Sequence, residues 1–363
     1  MKTSPEFVFA KGLSVGARLM WIGLLALFGV ALQLLVSPVV GWVFVLVAVL
    51  LSIARSVSNQ PAVIRAEDGF ELAATCFGAA HDCRAGALIV SAMGVEQKFY
   101  AAFAHWLAER GYFAVTFDYR GIGASRPLRF RASLRGFEAD LSDWIERDVP
   151  AAVEFVAARI GARPLAWIGH SLGAQILGLV PNRTRAAAMV AIASGTGYWP
   201  RYAWRSRWHA WLLWYVLAPL ATRRCGYFPG RRLRTVGDLP AGVMRQWRAW
   251  CLQRDYCVGA QQAHAQYASV TLPMLWLSFS DDEFMSEANV RDMHGFYRNA
   301  PRTVERVVPR ALGLPRIGHF GFFRPRTGAA LWPRVAQWLS ERVAHPGAAA
   351  RVPHPSSQPE ETR

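Results

Sequence analysis

The run WIGHSLGAQ, Trp167 to Gln175, sets Ser171 at the centre of a Gly-x-Ser-x-Gly pentapeptide directly after a short apolar stretch. A serine on a sharp strand-to-helix turn is held on a strained backbone with its hydroxyl presented, and glycines two residues to either side give the clearance. The chemistry this would serve is attack on an acyl carbon. A serine hydroxyl cannot do that until a base takes its proton, and the base needs a carboxylate to fix its tautomer and steady its charge. Both partners occur later in the chain: Ser280-Asp281-Asp282-Glu283 offers the carboxylate, and GLPRIGHFGFF, Gly313 to Phe323, offers His319. The tetrahedral oxyanion would need backbone donors. The N–H of Leu172, following the nucleophile, is one, and Met93, where the strand in GALIVSAMG gives way to its loop, is the candidate for the other.

These residues are useful only if the chain places them at the same end of a sheet. Ala62 to Gly78 reads as two strands about the turn Glu67-Asp68-Gly69, and GALIVSAMG as a strand buried on both faces. Gln97 to Arg110 has helical spacing through Phe99, Phe103, Trp106 and Leu107, and stops at Gly111. YFAVTFD and PLAWIG read as strands around a helix from Phe137 to Ile160 that is interrupted near Pro150. A helix from Leu172 to Val180 follows the elbow. Strands AAAMVAIAS, PMLWLSF and TVERVVP, a helix from Glu287 to Arg298 and a final helix from Gly328 to Val343 complete the rhythm. Alternating strands and helices predict a mostly parallel sheet covered on both faces, with residues 62–196 and 271–343 as its two parts. Ser171, the acids and His319 then all follow strands, at their carboxyl ends.

Residues 197–270 break the rhythm with seven tryptophans, eleven arginines and only Asp238 and Asp255 as acids, and are predicted to form a helical cap. Trp204, Trp208, Trp211 and Trp214 with Arg201, Arg205 and Arg207 would suit a lid lying on an anionic membrane; the competing reading is an ordinary cap whose aromatics form a small core. WLLWYVLAPL is too short for a spanning helix and fits a cap or interfacial helix.

Leu19 to Ala54 contains no charged residue and is bounded by Arg18 and Arg55. The run is too long for a signal peptide, and Ser37-Pro38 divides it into two pieces each near spanning length. A transmembrane hairpin over 19–54 fits best, against one long tilted span or a buried core hairpin. The basic segment 1–18, with Lys2, Lys11 and Arg18, and Arg55 beyond the run keep both ends on the cytoplasmic side of an inner membrane. The net charge of +16 accompanies no nucleic-acid motif, and membrane lipids are the more fitting anionic partner, alongside simple arginine bias on a solvated surface. Cys76, Cys83, Cys225, Cys251 and Cys257 have no Cys-x-x-Cys spacing, no metal-ligand spacing appears, and no cofactor motif is present. Residues 344–363 lack apolar periodicity and read as a disordered tail.

The order serine, aspartate, histidine is that of the α/β-hydrolase triad, and from Ala62 to Val343 the chain resembles that superfamily. GHSLG matches its elbow, DYRGIGAS (Asp118 to Ser125) resembles the segment common after its fourth strand, and the Asp-Asp pair with a later Gly-His-x-Gly-Phe is similar to a branch of membrane-associated esterases and lipases. The resemblance implies the α/β-hydrolase fold and a serine esterase or lipase acting on a small-molecule or lipid acyl ester or thioester. It also implies Asp282 as the acid, with Asp281 in reserve. Where the superfamily carries a His-Gly oxyanion entry, this chain has Ser91-Ala92-Met93-Gly94. The other expectation for either aspartate is a helix N-cap ahead of Glu287. His170 is expected to pack or hydrogen-bond locally, and His105, His209, His264 and His294 show no partner pattern. Acyl transfer to another acceptor uses the same residues, and a non-catalytic binding or scaffold protein could keep the same fold.

Overall fold

The computed structural model describes residues 59–343 and, before them, Leu24 alone. The chain divides into two compact units, residues 1–58 and 59–363, and the second is the subject here. Leu24 apart, the segment 1–18, the hairpin read over 19–54 and the tail 344–363 lie outside the described residues. Among the described residues no helix is long and apolar enough to cross a membrane.

One eight-stranded sheet organises the unit. Its strands are β1 (Asn59–Arg65), β2 (Glu71–Phe77), β3 (Ala85–Val90), β4 (Tyr112–Phe117), β5 (Leu165–His170), β6 (Ala186–Ile192), β9 (Met274–Phe279) and β10 (Arg302–Val307); β7 (Tyr227–Phe228) and β8 (Leu239–Pro240) pair separately within the cap. The spatial order is β1-β2-β4-β3-β5-β6-β9-β10. β1 and β2 run antiparallel to their neighbours, and every other pairing in the sheet is parallel. β3, β4, β5 and β9 are buried along their whole length, as continuous apolar strands covered by helices on both faces must be. The edge strand β10 is exposed along most of its length and carries Arg302, Glu305 and Arg306, charges that discourage further pairing.

The helices depart from the sequence pattern in instructive ways. The segment read from Phe137 begins at Leu141, where Asp140 caps it by accepting the N–H of Asp143 while Asp143 returns the bond. Pro150 does not interrupt it: the irregularity is a π turn at Trp144–Asp148, and the proline falls in the first turn of Val149–Ile160, where its missing N–H costs little. After the elbow only Leu172–Gln175 is α-helical, and a 3-10 turn, Ile176–Leu179, finishes the segment. Tyr267 crowds this turn, lying 2.7 Å from where a Cβ on Gly178 would be. The last helix begins at Pro325, ahead of Gly328, and the Glu287 helix stops at Gly295.

Helical elements between β6 and β9 run from Trp199 to Ala268, so the cap is inserted between two neighbouring strands of the sheet. WLLWYVLAPL lies within a continuous helical stretch from Trp204 to Cys225, interrupted by a π turn at Leu213–Leu217. Trp214 is buried in the cap with its ring edge-on to Trp247 at 4.8 Å, as is Trp250 against Tyr256. Trp214 therefore belongs to a cap core, which corrects its grouping with the outward tryptophans.

Candidate active site

Ser171 sits between the end of β5 and the first turn of the following helix with φ 49° and ψ −113°, a conformation that side chains other than glycine rarely adopt. Its neighbours hold it there. Its N–H donates to the Ile192 carbonyl at 3.0 Å, and its own carbonyl accepts from the N–H groups of Ala174 and Gln175 and from Ser194 Oγ. A Cβ on Gly169 would lie 2.4 Å from the Ala174 nitrogen, and one on Gly173 would lie 2.0 Å from the Val90 carbonyl oxygen. Both glycines of the pentapeptide are thus required by close backbone approach.

Three consecutive carboxylates organise the histidine loop. Asp282 faces His319 Nδ1 from both oxygens, at 2.9 and 3.1 Å, and is itself held by the N–H groups of Phe284 and Met285. A carboxylate only accepts, so Nδ1 carries a proton, and it is then Nε2 that keeps the lone pair in a neutral ring, the form a base requires. Asp281 does something different: it accepts the N–H groups of Ile317 and Gly318 at 2.9 and 3.1 Å. Glu283, which the sequence pattern did not single out, accepts the His319 N–H at 3.1 Å and pairs with Arg316. Neither aspartate caps the next helix, because Ser286 accepts the N–H of Asn289 there.

His170 ties the parts together. Tyr100 Oη accepts the Ala92 N–H at 2.8 Å and lies 2.9 Å from His170 Nδ1, while His170 Nε2 lies 3.0 Å from the His319 carbonyl. The carbonyl can only accept, so Nε2 carries the proton, Nδ1 accepts from the tyrosine, and the ring is neutral. Burial, and then the neighbouring His319, depress the His170 pKa well below its ordinary value. The line Ala92–Tyr100–His170–His319 joins the loop after β3, the elbow and the histidine loop, over sequence distances that no local pattern reveals.

Met93 and Leu172 are both buried, one in the loop after β3 and the other at the first helical position after Ser171. The N–H of a first helical residue has no intrahelical acceptor, so Leu172 retains a donor for an oxyanion. The two loops are locked to each other where Gly173 meets Val90, and Gly94, at φ 67°, fits closely against Gly237 and Leu239 of the cap. Among the described residues, no hydrogen bond joins Ser171 Oγ to His319. Such links are often loose before substrate binds.

The cap closes over this assembly. Ser171, Asp282 and His319 are 8%, 6% and 4% exposed. Ser206 Oγ donates to the Glu283 carbonyl at 2.7 Å, Ser286 Oγ to the Arg201 carbonyl at 2.6 Å, and Tyr256 Oη to Gln175 Oε1 at 3.1 Å. The Asp118–Ser125 segment serves as scaffold: Asp118 accepts the N–H groups of Gln97 and Ala124, and Arg120 bridges Asp148 and Asp68. His264 has a partner in Asp255 at 3.0 Å, on the cap surface. All five cysteines are free thiols.

Residues 81–235 match the model of a family described as serine aminopeptidase, S33. The search of curated proteins gives no match. Among solved structures, a soluble variant of monoglyceride lipase from Saccharomyces cerevisiae in complex with a substrate analog is similar at a TM-score of 0.55 and 14% identity, over 79% of this chain and 96% of that one. DcsB in complex with its substrate analogue is similar at 0.51 and 14% identity, over 79% and 100%. An esterase of Pyrococcus furiosus is similar at 0.50 and 14% identity, over 80% and 93%. At such identities the likeness is one of fold.

Proposed function

We propose that the chain, which has the α/β-hydrolase fold, is a serine hydrolase cleaving a carboxylic ester or thioester through an acyl-enzyme on Ser171. The observation that carries the reading is the pairing of His319 Nδ1 with Asp282 at 2.9 Å in a chain whose elbow strains Ser171 to φ 49°. In this mechanism His319 Nε2 takes the Ser171 proton as Oγ attacks the acyl carbon. Asp282 steadies the imidazolium, and the N–H groups of Leu172 and Met93 receive the oxyanion. The proton then passes to the leaving alcohol or thiol, and water repeats the sequence to release the acid.

The test is covalent labelling by a fluorophosphonate probe, followed by a substrate panel. The full chain should label and Ser171→Ala should not; equal labelling of a folded Ser171→Ala chain would remove the mechanism. The panel includes an aminoacyl amide beside esters and thioesters, because the matched family is described as a serine aminopeptidase.

The same proposal includes an anchor: residues 19–54 as a two-pass helical hairpin with the hydrolase unit on the cytoplasmic side. Its support is the uncharged run between Arg18 and Arg55. A reporter active only outside the cytoplasm, fused after Arg363, should stay silent.

A further inference from the structure

The helical stretch Trp204–Cys225 buries Ala210, Trp214 and Ala218 and turns another face away from the protein. On that face Trp204, Trp208, Trp211 and Tyr215 follow at intervals of four, three and four residues, and are 73%, 65%, 38% and 46% exposed. The rings lie against one another: Trp208 stacks on Trp211 at 5.1 Å and Trp211 on Tyr215 at 5.9 Å. Leu220, beyond the π turn, is 63% exposed. Single exposed apolar residues are ordinary, but a row of three indoles and a phenol on one helix marks a contact surface. Their chemistry narrows the partner, since tryptophan and tyrosine favour the boundary between hydrocarbon and water.

The charges narrow it further. Arg205 lies over the Trp204 ring at 5.2 Å, Arg207 stands exposed just before Trp208, and Arg223 and Arg224 are exposed near the far end. No acid occurs from Gly197 to Gly237. Beside Trp204 opens a cleft of about 680 Å³ lined by Arg201, Arg207 and Arg291, with Glu287 at its side. Arg201 is paired there with Asp292, whereas Arg205, Arg207 and Arg291 form no ion pair with any described acid. An aromatic row set among unneutralised guanidinium groups complements a surface of hydrocarbon and phosphate.

We propose that this face of the cap docks on an anionic lipid bilayer, the aromatic row entering the interfacial region and the arginines meeting lipid phosphates. Where it concerns substrate the proposal rests on the hydrolase reading, and it makes the substrate an acyl ester held in that bilayer. The docked helix is tied to the acid loop by Ser206, so the membrane contact is one hydrogen bond removed from the backbone that carries Asp282.

The test uses the full chain as Ser171→Ala, which removes turnover, reconstituted in phosphatidylglycerol or phosphatidylcholine vesicles with or without brominated acyl chains. The bromines should quench more tryptophan fluorescence in this chain than in one also carrying Trp204→Ser, Trp208→Ser and Trp211→Ser, and the difference should be greater in phosphatidylglycerol. Should the triple variant fail to fold, Arg205→Glu with Arg207→Glu probes the same contact from the surface. In the active chain that pair should slow cleavage of a long-chain ester dispersed in phosphatidylglycerol roughly tenfold or more, and leave a short soluble ester unchanged. Equal quenching in both chains overturns the docking. So does loss of both activities together, or self-association that the triple variant abolishes, which would give the face to a second copy. If the Ser171→Ala chain shows the lipid contact and the chain with Ser171 intact takes no fluorophosphonate label, the hydrolase reading falls and the docking stands.

Discussion

His170 Nε2 donates to the main-chain carbonyl of His319 across 3.0 Å, so the residue before the proposed nucleophile supports the residue proposed as its base. The Tyr100 hydroxyl that Nδ1 accepts on the other side of the ring requires a neutral His170, whose pKa burial and His319 hold well below the ordinary value. An unfolded histidine titrates near 6.5, so below about that pH the unfolded chain binds a proton that the folded chain refuses. This contribution to stability is complete above about pH 6.5 and is lost as the pH falls, by at most about 1.4 kcal/mol per pH unit. Urea midpoints at pH 7.5 and 5.5 measure it. His170→Gln, which keeps a donor but does not titrate, should show a smaller drop between the two pH values; an identical drop would exclude His170 as its source.

Asp281 and Asp282 differ in what they hold. Asp282→Asn should cut kcat by roughly 10⁴, because the amide no longer selects the Nδ1–H tautomer of His319. Asp281→Asn keeps an acceptor for one of the two N–H groups, of Ile317 or Gly318, and loses the other bond, away from the imidazole, so it should cost roughly tenfold or less. Steady-state kinetics on one ester decide, and the reverse ranking would move the acid to Asp281.

Glu283 is a positioning residue, and conservative replacement separates that role from a catalytic one. Glu283→Ala should lower kcat roughly tenfold with KM unchanged, by releasing the His319 N–H, and Glu283→Gln should restore most of it. Equal loss in both variants would mean that the charge, and not the hydrogen bond, is what counts.

Gly173→Ala should prevent folding or cost roughly 3 kcal/mol or more, since the new Cβ would meet the Val90 carbonyl oxygen at 2.0 Å. Gly295 is the control: among the described residues nothing lies within 4 Å of the Cβ that an alanine would add there, and Gly295→Ala should change stability by no more than about 1 kcal/mol. Thermal melts of the two variants compare them directly.

The parts of this molecule written locally were legible in the sequence. β3, β5 and β9 are largely apolar runs because helices cover both their faces, and the elbow glycines announce a turn with no room for side chains. What depends on distant chain was not legible. Tyr100 and His170 meet across seventy positions, and Glu283 finds His319 only because its loop curls back. Trp211 and Trp214 lie within one turn of each other in sequence, yet one faces outward and the other packs on Trp247, a partner that no spacing names.

Placing the cap between β6 and β9 also sets the order in which the site comes into existence during synthesis. His170 and Ser171 leave the ribosome early; His319 is 149 positions beyond His170, with the whole cap made in between. At roughly 5–20 residues per second, about seven to thirty seconds separate the synthesis of the elbow from that of His319. On the proposed mechanism the nascent chain has, throughout that interval, its serine but not the histidine that would deprotonate it, so reactivity would arise only once the last two strands have joined the sheet.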